Sequence, residues 1–183
     1  MPQQYPVTRW TLHLDSLPPN NAAGSKALVQ WKDELSTQEY LGLYTKVGAP
    51  WGWFDRRLLR ENELAIILQQ PHRQFAVFEI GDAAVGFGEL CQHEDSVEIA
   101  YFGLIPEATG RGLGKTLFRE VVARATALAV GQTVWLTTCS WDSPAARPFY
   151  SRMGFKEVRE EIIQQRVPDG FDPPANARAH LAT

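Results

Sequence analysis

The stretch ATGRGLGKT, residues 108–116, decides how the rest of this sequence is interpreted. Its glycines alternate with other residues at Gly110, Gly112 and Gly114, and a Lys-Thr pair follows them. Glycine-rich loops that open a helix bind phosphates, because bare backbone can approach a charged oxygen and donate N–H groups to it. A turn that only caps a helix would use one glycine. Three glycines in five residues therefore favour a phosphate-bearing ligand.

Two common phosphate-binding loops do not fit this spacing. The Walker A loop ends in Gly-Lys-Ser/Thr, as this stretch does, but it needs a first glycine where Thr109 stands. The dinucleotide fingerprint G-x-G-x-x-G finds its first two glycines and then meets Lys115 at the third position. A nucleoside triphosphate and a dinucleotide are therefore disfavoured, which leaves coenzyme A as the third phosphate-bearing candidate.

The segments around the loop alternate between strand and helix patterns. After the loop we predict a helix that stops near Gly131, a strand, a short helix and a last strand region, at 133–139, 143–153 and 154–165. Before it we predict a strand, a loop, a helix, a break and a second helix, at 7–14, 18–26, 27–46, 47–55 and 60–71. Three strands then lead to the loop, at 74–80, 83–91 and 96–105. This order predicts a mixed sheet with helices on its faces.

Bulk composition limits the class of protein. The chain has 183 residues, 44% hydrophobic and 21% charged, which predicts one ordinary globular domain. A formal net charge of −3 and no Lys/Arg run argue against nucleic-acid and anionic-membrane partners. We see neither a signal peptide nor an apolar run long enough to span a membrane. Cys91 and Cys139 fit free thiols of a reducing compartment, so we expect a cytoplasmic protein.

Two signatures carry a resemblance to a known family. The stretch LIPEATGRGLGKTL resembles the coenzyme-A loop of the GNAT N-acetyltransferase superfamily, Gln/Arg-x-x-Gly-x-Gly/Ala opening a helix, whose six positions fall on 109–114. The helix ending FYSRMGF, residues 149–155, resembles the family's second signature, a Tyr followed closely by Gly-Phe. The resemblance is closest to small uncharacterised bacterial members. It implies an α/β (α+β mixed) fold, mostly antiparallel with splayed parallel central strands, in a single domain over 1–166 followed by a tail over 167–183.

The resemblance also implies acetyl-CoA as co-substrate. Backbone amides on the strand before the loop would grip the pantetheine arm, and the loop would hold the phosphates, so the expected contacts are Phe102, Gly103, Leu104, Thr109, Gly110, Arg111, Gly112, Leu113, Gly114, Lys115 and Ser143. Two of these depart from the family pattern. Thr109 replaces the usual Gln or Arg, and Ser143 replaces an Asn that many members use on the pantetheine arm. We expect weaker coenzyme binding, not its loss.

The implied reaction is direct acetyl transfer to a primary amine in a ternary complex, which makes the protein an acyltransferase (EC 2.3.1 type). Glu98 matches the catalytic glutamate of histone-acetylating members, and its apolar strand neighbours should raise its pKa, as a base near neutral pH requires. Tyr150 is the expected acid for the leaving thiolate. A covalent route through Cys139 stays open, as does the alternative of a catalytically degenerate coenzyme-A-binding regulatory module.

The acceptor site is expected in the helical segment after the first strand. Tyr40, Trp51 and Trp53 belong to an aromatic-rich stretch that would line an amine or peptide pocket, although aromatics also fill cores. Glu89 would attract a cationic amine, as would the carboxylates of Asp55 and Asp142. If the HEDS turn pairs its two strands symmetrically, Glu89 also shares a sheet face with Glu98. The four histidines lack ligand spacing, so we assign no metal. The acceptor's identity and the oligomeric state, including a homodimer, stay open.

Overall fold

A computed structural model describes residues 3–17 and 28–171 as a mixed seven-stranded sheet with helices on both faces. The strands are β1 (Gln3–Leu14), β2 (Leu28–Lys32), β3 (Arg73–Ile80), β4 (Ala83–Gln92), β5 (Ser96–Leu104), β6 (Thr133–Cys139) and β7 (Phe155–Val167). The helices are α1 (Thr37–Gly48), α2 (Glu61–Leu68), α3 (Leu113–Ala129) and α4 (Ala146–Arg152), with short 3₁₀ turns at Ala49–Trp51 and Pro106–Ala108. The strand order is β2-β3-β4-β5-β6-β1-β7, and only the β5–β6 pair is parallel. No helix among the described residues is both long and apolar enough to cross a bilayer.

The predicted element order is confirmed with one correction. The helix predicted over 27–46 is wrong in its first part, because 28–32 forms β2 and pairs antiparallel with β3. The helix begins only at Thr37, where Ser36 and Glu39 form a capping box in which each side chain bonds the other's backbone N–H. Sheet pairing therefore outweighs the helical pattern there. The loop predicted over 18–26 lies outside the described residues.

The two faces of the sheet bury separate cores. Alternate residues of β3 point in opposite directions, so Ala76 and Phe78 pack against α3 while Phe75 and Val77 pack against α1 and α2. We call these the α3 face and the α1 face. Both are filled with apolar side chains, and the α1 face is unusually aromatic, with the rings of Tyr40 and Tyr44 stacked at 5.7 Å.

The parallel pair at the centre of the sheet opens part-way along. Pairing between β5 and β6 runs only from Ser96–Thr133 to Ile99–Leu136. On the other side of β5 the register with β4 steps from Ile99 to Tyr101, so Ala100 forms a bulge at the same level. Beyond it the two strands leave a gap in the sheet, as the predicted splayed strands require.

Candidate active site

A cavity of about 570 Å³ occupies the gap between β5 and β6. It reaches from the glycine loop to the α1 face, and side chains from the segment after α1, from both central strands and from α4 line it. Its polar lining includes Arg9, Asp55, Arg56, Arg73, Glu98, Thr109, Thr138, Asp142, Ser143 and Tyr150. One continuous cavity thus joins the two regions that the sequence assigns to coenzyme and acceptor.

The glycine loop leaves the start of α3 open to an anion. Gly110 and Gly112 have φ of 71° and 78°, a left-handed conformation that other residues adopt only with strain. Gly112 is the N-cap of this 17-residue helix and has no side chain, so among the described residues no N-cap side chain bonds the first N–H groups. The residues present therefore fit a phosphate group. Thr109 and Gly110 line the cavity. The hydroxyl of Thr109 donates a hydrogen bond to the carbonyl of Pro106 at 2.7 Å, within the same turn.

The predicted pantetheine contacts lie along the strand gap. Phe102, Gly103 and Leu104 all line the cavity on β5. Ser143 lines it from the far side, where its Oγ accepts a hydrogen bond from the amide of Ala145 at 3.3 Å. This hydroxyl is thus used within its own turn. The rest of the predicted loop set, Arg111, Gly112, Leu113 and Lys115, lies beside the cavity at the start of α3 and not among its lining.

Glu98 lies on the α1 face and lines the cavity. Its side chain is 23% exposed, and one carboxylate oxygen is 3.3 Å from Nε2 of His93. Cys91 is its cross-strand partner on β4. The fold therefore brings together the side chains of Cys91, His93 and Glu98. The atoms that each could offer to a metal ion lie within 4.8 Å of one another, although the spacing of these residues in the sequence does not indicate a metal site. Burial raises the pKa of the Cys91 thiol, which keeps it in the neutral form.

Glu89 and Tyr40 do not line the cavity, and this corrects two of the predicted acceptor contacts. Both are fully buried. The carboxylate of Glu89 accepts hydrogen bonds from the Tyr40 hydroxyl at 2.6 Å, from Nη2 of Arg56 at 3.2 Å and from Arg73. Glu89 does share the α1 face with Glu98, but it pairs across the sheet with Tyr101 and is enclosed by these partners. It cannot meet an incoming amine.

Trp51 and Trp53, the other predicted acceptor residues, do line the cavity. The indole N–H of Trp53 donates to the carboxyl of Asp142 at 3.3 Å. Asp55 lines the same wall and accepts from the side-chain amide of Gln165 at 2.8 Å. The acceptor end of the cavity is therefore walled by indoles and carboxyls together.

Tyr150 lines the cavity from α4 and packs against Phe118, with ring centroids 5.3 Å apart. Burial, and then the negative charge of Asp142, raise the pKa of its phenol above the usual value. The hydroxyl therefore stays protonated at neutral pH, which is the state that a proton donor needs.

Asp142 is more central to the cavity than its sequence position indicated. Its carboxyl accepts from the hydroxyl of Thr138 at 2.7 Å, from the amide of Cys139 at 2.9 Å and from Trp53. Burial raises the pKa of Asp142 in spite of these three donors. Burial and the nearby Asp142 together raise the pKa of Cys139 to about 12, so its thiol is not a ready nucleophile. The position of the Asp142 carboxyl against β6 was hard to predict from the sequence, because Asp142 belongs to the turn after that strand.

The sequence profile of the acetyltransferase (GNAT) family matches residues 29–155, well over half of the chain. The chain belongs to this family. The predicted family and its fold are thereby confirmed, including the mixed sheet with a splayed central pair. No curated protein sequence matches the chain.

Solved structures of GNAT proteins share this fold at low sequence identity. A GNAT-family protein from Novosphingobium aromaticivorans has a TM-score of 0.59 at 18% identity, and the match covers 86% of this chain and 63% of that one. A GCN5-related N-acetyltransferase from Sphaerobacter thermophilus has a TM-score of 0.60 at 19% identity, covering 94% and 56%. A GNAT-family acetyltransferase from Streptococcus pneumoniae gives 0.53 at 20%, covering 71% and 87%. This chain spans less than two thirds of the length of the first two.

Proposed function

We propose that this GNAT protein transfers the acetyl group of acetyl-CoA directly to a primary amine of a small molecule or peptide. One observation carries the proposal: a single cavity in the gap between β5 and β6 is lined by Thr109, Gly110 and Gly114 of the glycine loop and by the side chains of Glu98 and Tyr150. A phosphate-binding loop, a channel for an extended arm and a pair of proton-transfer groups are the parts that such a reaction needs.

The chain offers separate groups for separate parts of acetyl-CoA. The uncapped start of α3 and the loop around Gly110 suit the pyrophosphate, because aligned N–H groups attract anions there. The β6 side of β5 beyond Ile99, where pairing with β6 has ended, suits the pantetheine arm. When bound, acetyl-CoA supplies an activated thioester. Amides of Phe102, Gly103 and Leu104 would stabilise the negative charge that develops on its carbonyl oxygen.

Proton transfer falls to two groups at opposite sides of the cavity. Glu98 takes the proton of the acceptor amine as the new carbon–nitrogen bond forms, and Tyr150 gives its proton to sulfur as the carbon–sulfur bond breaks. Glu98 suits the role because its carboxylate bonds only the partly exposed His93 among the described contacts. Tyr150 suits its role because it lines the cavity and its phenol is protonated at neutral pH, the state that a proton donor needs.

Asp142 is another carboxyl of the cavity lining, and its bonding argues for a different role. Its two oxygens already accept from Thr138, Cys139 and Trp53, so fewer lone pairs are free for an amine proton. We assign it to holding Trp53 and the turn after β6 in position. The high pKa of Cys139 argues for direct transfer over a covalent intermediate.

The decisive assay measures release of coenzyme-A thiol from acetyl-CoA across a panel of primary amines. Replacing Glu98→Gln or Tyr150→Phe should lower kcat by about 10²- to 10⁴-fold, the usual contribution of a general acid or base. Glu94→Gln, in the exposed turn after β4, and Tyr5→Phe, whose hydroxyl bonds only Gln3 among the described contacts, are the matched controls and should stay near wild type. Full activity in both site variants would refute the assignment.

A coenzyme-binding regulatory module that has lost catalysis is the second candidate. Two observations favour it: the hydroxyls of Thr109 and Ser143 are each used within their own turns, so neither replaces the long polar side chain that the family pattern has there. This candidate requires acetyl-CoA binding with no turnover on any amine, and with no change in Glu98 or Tyr150 variants.

The two cysteines, both free, fit a reducing compartment, and we place either activity in the cytoplasm.

A further inference from the structure

A cluster of three charged side chains at one end of the cavity carries more positive than negative charge. Glu89 is a single carboxylate that holds two guanidinium groups, those of Arg56 and Arg73. Its third partner, Tyr40, is neutral, because burial and then the charge of Glu89 raise the pKa of that phenol. Burial lowers the pKa of Arg56, but Glu89, Tyr101 and Tyr40 together outweigh burial and raise the pKa, so the guanidinium stays charged. The cluster therefore has a net charge of +1.

This excess charge faces the cavity. Glu89 is 0% exposed, whereas the side chains of Arg56 and Arg73 are 14% and 13% exposed and both line the cavity wall. Arg56 lies over the ring of Tyr101, 5.5 Å from its centroid, and its buried Nε has no hydrogen-bond acceptor among the described residues. Among the described residues only Glu89 lies within ion-pair distance of these two guanidinium groups, and one counterion for two largely buried positive charges is unfavourable. An anionic group in the cavity would be the missing partner.

The positive cluster lies beside the proposed base on the same face of the sheet. Arg73 pairs with Cys91 across β3 and β4, and Cys91 pairs with Glu98 across β4 and β5. The three residues form one row on the α1 face, so the Cα atoms of Arg73 and Glu98 are separated by two strand spacings, about 10 Å. The side chain between them is the small, neutral thiol of Cys91. A cation and a carboxylate thus flank a short gap at the acceptor end of the cavity.

We propose that the acceptor is an amino carboxylic acid, whose carboxylate binds Arg56 and Arg73 while its amine lies next to Glu98. The proposal rests on the acetyl-transfer function above and narrows its substrate class. Guanidinium groups suit the first contact, because their planar fork bonds both oxygens of a carboxylate. The guanidinium groups then match the carboxylate of the ligand, and Glu98 matches its amine. A simple monoamine or polyamine has no carboxylate for the guanidinium groups.

The first test compares each of the twenty common L-amino acids with its own amide in the thiol-release assay. The amide keeps the amine and the side chain but loses the negative charge, and its amine gives up a proton more readily. We expect kcat/KM to be about 10- to 100-fold higher for the acid, the value of a charge-assisted carboxylate contact. Equal or better use of the amides, or acetylation only of amines that lack a carboxylate, such as tryptamine and putrescine, would overturn the proposal.

The second test removes one arginine. Arg56→Gln should raise KM for the amino acid by about 10- to 100-fold and leave that for its amide unchanged. Folding should survive because Glu89 keeps Arg73 and Tyr40, and a melting curve checks this. Arg57→Gln is the control, since Arg57 is exposed and lies over Phe54 outside the cavity lining. An equal loss for acid and amide would overturn the assignment of Arg56.

The outcomes separate this proposal from the function on which it rests. If acetyl-CoA stabilises the protein but no amino acid of the panel is acetylated, the acceptor assignment is wrong and coenzyme binding stands. If acetyl-CoA neither stabilises the protein nor is consumed with any amine, the acetyl-transfer function itself is wrong and the acceptor assignment is overturned with it.

Discussion

The two faces of the sheet are built in different ways. On the α3 face the loop, the helix start and the strand before them follow one another along the chain, from Ser96 to Ala129. On the α1 face the polar groups come from four separate segments, with Tyr40 in α1, Arg56 in the following loop, Arg73 in β3 and Glu89 in β4. The first arrangement relies on backbone N–H groups and the second on side-chain charges that neutralise one another.

This difference predicts where each face is sensitive. A backbone site tolerates most side-chain changes but depends on glycine at positions with positive φ. A buried charge cluster depends on its single carboxylate, because removing it leaves guanidinium groups without an anion. The variants below test each side of this contrast, starting with the largest expected effect.

The largest effect should come from Glu89→Gln. The amide keeps the size of the side chain and can still accept from Tyr40, but it leaves Arg56 and Arg73 unneutralised in a buried position. We expect the free energy of unfolding to fall by about 3–5 kcal/mol, measured by urea denaturation. Glu157→Gln, which breaks the exposed pair with Arg147, is the control and should change far less. A similar small change in both variants would refute the charge-cluster account.

An intermediate effect is expected for Gly112→Ala at the start of α3. An added Cβ meets nothing within 4 Å, but the φ of 78° is strained for alanine by about 1–2 kcal/mol. Relief of that strain would turn the N–H groups away from the phosphates, so acetyl-CoA should bind about tenfold more weakly by calorimetry, which is about 1.4 kcal/mol.

Gly131→Ala is the matched control at the other end of the same helix. Its φ is 85° and its Cβ would also meet nothing. Stability should fall by a similar amount while acetyl-CoA affinity stays at the wild-type value. Equal weakening in both variants would mean that helix stability, not the loop, governs binding.

The smallest effect concerns the pH dependence that Asp142 imposes. Its pKa is raised in the folded protein, chiefly by burial, so folding favours the protonated form. Its contribution to stability is therefore complete below the unfolded pKa, near 3.9, and declines as the pH rises toward the folded pKa. The stability difference between wild type and Asp142→Asn should move in favour of the variant from pH 4 to pH 8. A difference that moves toward wild type would contradict the raised pKa.

The same contrast explains what the sequence predicts well. The glycine loop, the strand before it and the helix after it were all recognisable because their signals are local: positive-φ glycines, an apolar helix stripe and a strand of alternating residues. The first of the two family signatures lies within that stretch. The segment 28–32 was misassigned as helix because its strand conformation depends on pairing with β3, which its own residues do not encode.

The acceptor site was harder to predict from the sequence, for a physical reason. Tyr40 and Glu89 look like pocket residues in sequence. In the fold, the apolar core of the α1 face encloses Tyr40, and the guanidinium groups that cover Glu89 come from other segments. Asp142 lies in a turn, and its contact with Thr138 and Trp53 depends on the fold. Long-range charge pairing has no spacing rule, so composition and periodicity cannot reveal it.

The central claim is that the gap between β5 and β6 is an acetyl-CoA site, and a thermal melt with and without acetyl-CoA tests it most directly. A ligand at one hundred times its dissociation constant stabilises a protein by about 2.7 kcal/mol. For a domain of this size we predict a rise in Tm of about 5–10 °C, reduced in Gly112→Ala and retained in Gly131→Ala. A cooperative melt whose midpoint does not move with saturating acetyl-CoA would contradict the account.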